Sequence, residues 1–145
     1  MPTLREILSE KGTRVHTIAA DATVLEATRK MNEHKIGALV VLDNDRIAGM
    51  FTERDVLQRV VALEKAPAEI RVRDVMTEDV VCVGPETDID DASQVLRDRR
   101  IRHLPICDSC GGLIGMVSIG DVNAYHASGQ AATIHFLSDY IYGRA

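Results

Sequence analysis

The sequence predicts a mixed α/β (α+β) fold: two β-α-β-β-α units packed with pseudo-twofold symmetry, followed by a C-terminal helix. Three observations carry that prediction. The chain repeats itself over most of its 145 residues. Each copy alternates short β-branched runs with helical spacing of its apolar residues. The phrase "GMFTERDV" at residues 49–56 returns as "GMVSIGDV" at residues 115–122, in the same place within each copy.

The repeat is read by sliding the chain along itself. At an offset of 65, Val24 meets Ile89, Ala27 meets Ala92, Met31 meets Leu96, Ile36 meets Ile101, Leu39 meets Leu104 and Asp43 meets Asp108. One inserted residue moves the offset to 66, and Gly49 then meets Gly115, Thr52 meets Ser118 and Asp55 meets Asp121. The lead-ins agree as well, "LREIL" at residues 4–8 with "VRDVM" at 72–76. The first unit is assigned to residues 8–65 and the second to residues 72–128.

Within each unit a β-branched run (residues 15–18 and 80–83) predicts the first strand. The turns "ADAT" and "GPETD" follow, then an amphipathic helix marked by Val24, Ala27 and Met31 or by Ile89, Ala92 and Leu96. A buried strand ("IGALVVLD", "IRHLPICD"), a hairpin turn ("NDR", "SCGG") and another strand ("IAGMF", "LIGMV") lead to a helix starting near Thr52 or Ser118. Pro67 is expected to end that helix in the first unit. A unit of about 60 residues is marginal alone, so the two are expected to bury their sheets against each other. Residues 130–143 form a terminal amphipathic helix with Ile134, Leu137 and Ile141 on one face and Phe136 and Tyr140 one turn apart. It either folds back or packs on another chain.

Composition narrows the function classes. Hydrophobic residues make up 46% and charged residues 27%, the balance of a soluble globular chain. No apolar run reaches the roughly 18 residues needed to span a bilayer. The charged N-terminus lacks a signal core and predicts a cytoplasmic protein. A net charge of −5 argues against a general nucleic-acid binder. Three cysteines, an odd number, predict no disulfide framework. With 3% aromatics, the core must come mainly from Val, Ile, Leu, Met and Ala.

The repeated phrase has two physical readings. Ser/Thr-x-x-Asp at a strand-to-helix junction is a capping box: the hydroxyl accepts a first-turn N–H and the acid reaches back to the cap. The same geometry suits a nucleotide. A helix N-terminus favours phosphate, a first-turn carboxylate can accept two ribose hydroxyls, and the upstream Gly49 or Gly115 is expected to let a ring approach the backbone.

Two such units, each closing on G-x-x-[ST]-x-x-D, resemble a pair of cystathionine-β-synthase-type (CBS) domains, the arrangement called a Bateman module. The "DVMT" lead-in at residues 74–77 and "HLPICD" with Pro105 add to the resemblance, which covers roughly residues 8–128. It implies a stand-alone regulatory or signal-transduction protein rather than an enzyme. It also implies two clefts that bind adenosyl ligands such as AMP, ADP, ATP, NAD or S-adenosylmethionine, and pairing into disc-shaped homodimers. Carried over residue by residue, it implies that Asp55 and Asp121 hold ribose hydroxyls, helped by Thr52 and Ser118. Ile36, Gly37 and Ala38, with Ile101, Arg102 and His103, would line the base and phosphate region, and Thr17 and Cys82 would face the adenine.

The clefts are not expected to be equal. "RDRRIRHLP" carries Arg97, Arg99, Arg100, Arg102 and His103, where the first unit has Gly37 and Ala38 against Arg102 and His103. Arginines suit phosphate oxygens through charge-assisted bidentate bonds, so Arg102 and His103 are phosphate candidates. So is Arg54, whose counterpart is Gly120. A solvated basic helix end is the competing reading for Arg97, Arg99 and Arg100. "CDSC", with Cys107 and Cys110, sits in the hairpin turn. It reads as a plain turn, with thiol–disulfide switching or half of a metal site as alternatives; Cys82, His103, His126 and His135 are the pool for the missing ligands. No catalytic arrangement is visible. The competing functions are an interaction or dimerisation module with empty clefts, and a thiol-responsive protein using Cys107 and Cys110.

Overall fold

The computed structural model describes residues 2–128. The terminal helix expected over residues 130–143 therefore lies outside the described residues. The elements run α1 (Leu4–Lys11), β1 (Thr17–Ala19), α2 (Val24–His34), β2 (Ala38–Asp43), β3 (Arg46–Thr52), α3 (Glu53–Asp55), α4 (Val72–Val75), α5 (Ile89–Asp98), β4 (His103–Cys107), β5 (Leu113–Ser118) and α6 (Ile119–Ser128). α3 continues without a break into π-helical turns over Val56–Val61. The first unit has a three-stranded sheet, order β1-β2-β3, with β1 parallel to β2 and β3 antiparallel. The second has the antiparallel pair β4-β5.

Local chemistry accounts for the shared boundaries. Thr23 accepts the Glu26 N–H at the start of α2, and Asp88 accepts the Asp90 N–H at the start of α5. Both helices end on a left-handed residue, Lys35 (φ 55°) and Arg100 (φ 55°). The next N–H returns to the helix in both cases, Ile36 to the Met31 carbonyl and Ile101 to the Leu96 carbonyl. Asn44 (φ 51°) and Asp45 (φ 64°) form the tight turn of the first hairpin. In the second hairpin, Asp108 Oδ1 gathers the N–H groups of Cys110 (2.9 Å) and Gly112 (2.8 Å), which accommodates the inserted residue.

Two expectations are modified. Residues 80–83 do not form a strand like β1; only Val83 bridges, in parallel, to Ile106. In the first unit Val40 donates its N–H to the His16 carbonyl, and the equivalent of Val40 is Pro105, which has no N–H. The helix after β3 ends before Pro67: Glu64 is left-handed (φ 56°), and Glu64 and Lys65 donate to the Val61 and Val60 carbonyls. The αL cap, not the proline, stops it.

The lead-ins pack crosswise. Leu4, Ile7 and Leu8 of α1 are buried with Ile89, Ala92, Leu96, Leu104 and Ile106 in the second unit's core. Val72, Val75 and Met76 are buried in the first unit's core with Val24, Ala27, Met31, Leu39 and Phe51. The backbone bonds repeat the exchange: Val24 N–H to Ile70 and Val72 N–H to Ala22 on one side, Ile89 N–H to Pro2 and Leu4 N–H to Thr87 on the other. A third cluster, centred on Ala38, Val40 and Met50 with Val80, Leu113 and Met116 against it, joins the two sheets.

Gly49 and Gly115 make this crossing possible, which corrects the expectation that they open space for a ring. A Cβ on Gly49 would lie 2.6 Å from the Thr77 carbonyl oxygen and 2.9 Å from the Met76 sulfur. A Cβ on Gly115 would meet Leu8 Cδ2 at 2.8 Å. The lead-in segments occupy that space. Because the obstacle at Gly49 is backbone and that at Gly115 is a rotatable methyl, Gly49→Ala is expected to destabilise by about 1–3 kcal/mol and Gly115→Ala by less. Chemical denaturation of both variants, compared by midpoint, checks the order.

Candidate functional site

The two strand-to-helix junctions are built alike and finished differently. At the first, the Asp55 N–H donates to Thr52 Oγ1 (3.4 Å) and the Thr52 N–H donates to Asp55 Oδ2 (3.0 Å), a complete capping box. Thr77 Oγ1 donates to Asp55 Oδ1 (3.0 Å), and Arg59 Nε lies 3.8 Å from the same oxygen. Asp55 is 3% exposed, and both its oxygens are engaged. At the second, the Asp121 N–H donates to Ser118 Oγ (3.0 Å) and the Ser118 N–H to Asp121 Oδ2 (2.8 Å). Lys11 Nζ also donates to Oδ2 (2.7 Å) and to the Met116 carbonyl (2.8 Å). The Asp121 side chain keeps 26% of its surface exposed.

The difference comes from the lead-ins. α4 stops at Val75 and the chain extends, so Thr77 pairs with Met50 and turns its hydroxyl to Asp55. α1 continues to Lys11 before Gly12 (φ 92°) ends it, so a charged amine takes the place of that hydroxyl. Burial alone would raise the Asp121 pKa. The Lys11 hydrogen bond and charge, with the Ser118 donors, outweigh it, and the pKa falls below its ordinary 3.8.

The strand entrances lie beside these junctions. Ala38 pairs with Thr52 and His103 with Ser118. The Gly37 carbonyl accepts the Glu53 N–H (3.1 Å), and the Arg102 carbonyl accepts the Ile119 N–H (2.9 Å). The Glu53 carboxylate lies directly over Gly37, in the space a Cβ there would need. Burial, then the neighbouring Arg102 charge, lowers the His103 pKa and favours the neutral ring; Asp121 and Glu53 oppose the shift. Glu53 belongs to the first unit and His103 to the second, so charge at one entrance is felt at the other.

The structure thus gathers Gly37, Ala38, Thr52 and Asp55 at one junction and Arg102, His103, Ser118 and Asp121 at the other. Ile36 and Ile101 pack against the two cores. Arg54 and Arg102 are exposed at the rims, and Arg99 pairs with Asp79 at 3.4 Å. Thr17 pairs with Val40, two residues along β2 from Ala38, and its carbonyl accepts the Lys30 amine at 2.5 Å. Lys11, Glu53 and Thr77 were not read as site residues. Lys11 is 110 positions from Asp121, and no local pattern marks such a contact.

The cysteines require a correction. Cys82 is disulfide-bonded to Cys107, and Cys110 is the free thiol. Cys107 and Cys110 are therefore not a pair, and Cys82 is committed to the bond. Cys107 closes β4 while Cys82 sits one residue before the Val83 bridge, so the parallel crossover brings them together from 25 positions apart. An odd count did not preclude one bridge.

Two pseudo-symmetric halves, β-α-β-β-α in the first and with the leading strand reduced to the Val83 bridge in the second, with exchanged lead-ins and a hydroxyl–acid cap at each second helix, define a tandem-repeat module of the Bateman type. The chain belongs to the CBS domain family, whose model matches residues 4–62 and again 72–127. It is 35% identical over 150 aligned positions to the mitochondrial CBS domain-containing protein CBSX3 of Arabidopsis thaliana, covering 97% of this chain and 72% of that protein. The solved structure of a CBS-domain protein from Burkholderia ambifaria MC40-6, described with signal-transduction proteins, is 38% identical with a TM-score of 0.86 and covers 92% of this chain and 99% of its own. A CBS domain pair solved with 5′-methylthioadenosine and S-adenosyl-L-methionine shares the fold (TM-score 0.79, 18% identity, 90% and 99% covered). Among the described residues no helix is long and apolar enough to cross a membrane.

The lowered Asp121 pKa sets an acid limit. A carboxylate with a depressed folded-state pKa contributes stability that is present above the unfolded value and lost as pH falls through the folded one. Stability is expected to drop as pH falls below about 4, and Lys11→Met is expected to flatten that drop. Thermal unfolding of both proteins between neutral and strongly acidic pH measures it.

Proposed function

We propose that this CBS pair is a regulatory module that senses an adenine nucleotide of the AMP, ATP or NAD type, and that the second junction is its principal site. The observation that carries the reading is the partly exposed Asp121 carboxylate at the start of α6, which Lys11 bonds, beside the strand entrance where His103 pairs with Ser118 and the Arg102 carbonyl accepts the Ile119 N–H. Both donors to Asp121 use Oδ2. A ribose diol entering this cleft takes the place of Lys11 on the carboxylate. The freed amine, the Arg102 guanidinium and the N-terminal N–H groups of α6 then meet the phosphate. His103, held neutral, can donate one hydrogen bond without adding charge.

The first junction is more closed. A ribose at Asp55 must displace the Thr77 hydroxyl from a carboxylate that is 3% exposed. Arg54 stands at its rim for phosphate. This asymmetry supports a cleft that fills second, if both fill. Ligand bound between the halves bridges them and shifts their relative arrangement in proportion to its preference for one state. The reading includes a cytoplasmic, non-catalytic protein acting through a partner.

We further read the protein as a homodimer. Leu57 (63% exposed) and Val61 (59%), four residues apart on the helical turns after Asp55, and Leu63 (59%) in the turn just beyond are exposed apolar side chains. Leu57→Glu combined with Val61→Glu is expected to halve the mass measured by light scattering; an unchanged mass places the interface elsewhere.

Calorimetry or thermal shift with AMP, ATP and NAD tests the main reading. Asp121→Ala is expected to abolish the ligand-induced stabilisation, and Arg102→Ala to weaken binding of the phosphate-bearing ligands by about tenfold. Asp55→Ala should lower the unliganded melting temperature, since it leaves the part-buried Thr52 N–H and Thr77 hydroxyl without their acceptor, and leave the shift at the second site. If Asp121→Ala keeps the full wild-type shift, the assignment is wrong.

A further inference from the structure

The nucleotide reading uses Cys82 only as a residue facing the adenine, and neither it nor the repeat accounts for the Cys82–Cys107 bond beside the free Cys110 thiol. Cys82, Cys107 and Cys110 all line one cleft of about 490 Å³, with Arg46 and Glu78 also on its wall. Cys107 is at the opposite end of β4 from His103, about 13 Å along the strand. This cleft therefore does not share the carboxylate of Asp121. Cys82 is exposed, Cys107 half-buried and Cys110 exposed. The Asp108 carboxylate holds the turn that carries Cys110, by bonds that do not involve the disulfide. Among the described residues neither Arg46 nor Glu78 takes part in an ion pair.

We propose that this cleft is a thiol–disulfide exchange site for low-molecular-weight thiols that bear both a carboxylate and an ammonium group. Arg46 receives the carboxylate, Glu78 receives the ammonium, and the sulfurs supply the chemistry. The thiolate of the small molecule attacks Sγ of Cys82, the exposed end of the bond. The Cys82–Cys107 bond breaks with its electron pair on Cys107, which takes up the proton that the small thiol released. The Cys110 thiolate then attacks the mixed disulfide at Cys82. A Cys82–Cys110 bond forms, and the small molecule leaves with the electron pair and the proton from Cys110. One disulfide replaces another, so no outside oxidant or reductant is needed. In the cytoplasm, where thiols are mostly kept reduced, a bond in this setting exchanges rather than persists as a staple. The proposal stands apart from nucleotide binding and does not depend on it.

The oxidised full-length chain is incubated with reduced glutathione or with neutral 2-mercaptoethanol, quenched in acid, and its disulfides mapped by peptide mass spectrometry. Wild type is expected to convert Cys82–Cys107 to Cys82–Cys110. Cys110→Ser, a change on an exposed turn, is expected to stall as glutathionylated Cys82, with about tenfold more mixed disulfide than wild type. Arg46→Ala with Glu78→Ala is expected to slow the glutathione reaction about fivefold and leave the 2-mercaptoethanol reaction unchanged. Glutathione mapped to Cys110 with Cys82–Cys107 intact overturns the proposal. So does equal mixed disulfide in wild type and Cys110→Ser, or equal slowing with both thiols in the double variant.

Discussion

The reciprocal burial of the two lead-in segments is the contact on which the rest of the molecule depends. Each half completes the other's core: Leu4, Ile7 and Leu8 close the second, and Val72, Val75 and Met76 close the first. Burying one such side chain is worth about 1.5–3 kcal/mol, and the net stability of a domain is only about 5–15 kcal/mol. Losing three of them from either core would therefore remove a large part of what holds it folded. The halves are repeats in sequence and a single cooperative unit in space. The sheet-to-sheet cluster around Ala38, Val40 and Met50 then sits between two cores already tied together at their ends.

The same crossing differentiates the two candidate clefts. A lead-in that stops early presents a threonine hydroxyl to the first acid; one that runs a turn further presents a lysine amine to the second. A neutral donor inside a buried capping box makes a closed structural joint. A charged donor on a partly exposed carboxylate makes a contact that stays near solvent, where the amine can be rehydrated, and on the proposed reading this is the contact that a diol and its anion reorganise. The capping and ligand readings of the repeated phrase are thus not rivals across the whole chain. The first copy is spent on structure to a degree the second is not.

Much of this was legible in the residues. The repeat, the element order, the helix caps and the hydroxyl–acid junctions are local features, set by spacing, by side-chain length and by the αL tolerance of a helix end. The Asp55 and Asp121 junctions, with Ala38 and His103 beside them, therefore fall where the pattern placed them. The shortfall of the strand before Val83 also had a local sign, the missing N–H of Pro105, but its effect requires knowing which strand it faces. The glycines of the repeated phrase were misread because their neighbours come from distant segments: Thr77 and Met76 over Gly49, Leu8 over Gly115.

By itself, the sequence determined that two similar α/β units exist, where each begins its second helix, and that the entrance to the second unit's middle strand is the richer in arginine. These follow from periodicity and from bonds spanning three or four residues. Only the tertiary structure decided that the lead-ins exchange, that Lys11 and Thr77 are the donors to the two acids, and that Cys82 joins Cys107 while Cys110 stays free. Each of those depends on chain segments separated by 22 to 110 positions. Burial of apolar surface chooses such partners without regard to distance along the chain, so no local pattern records the choice.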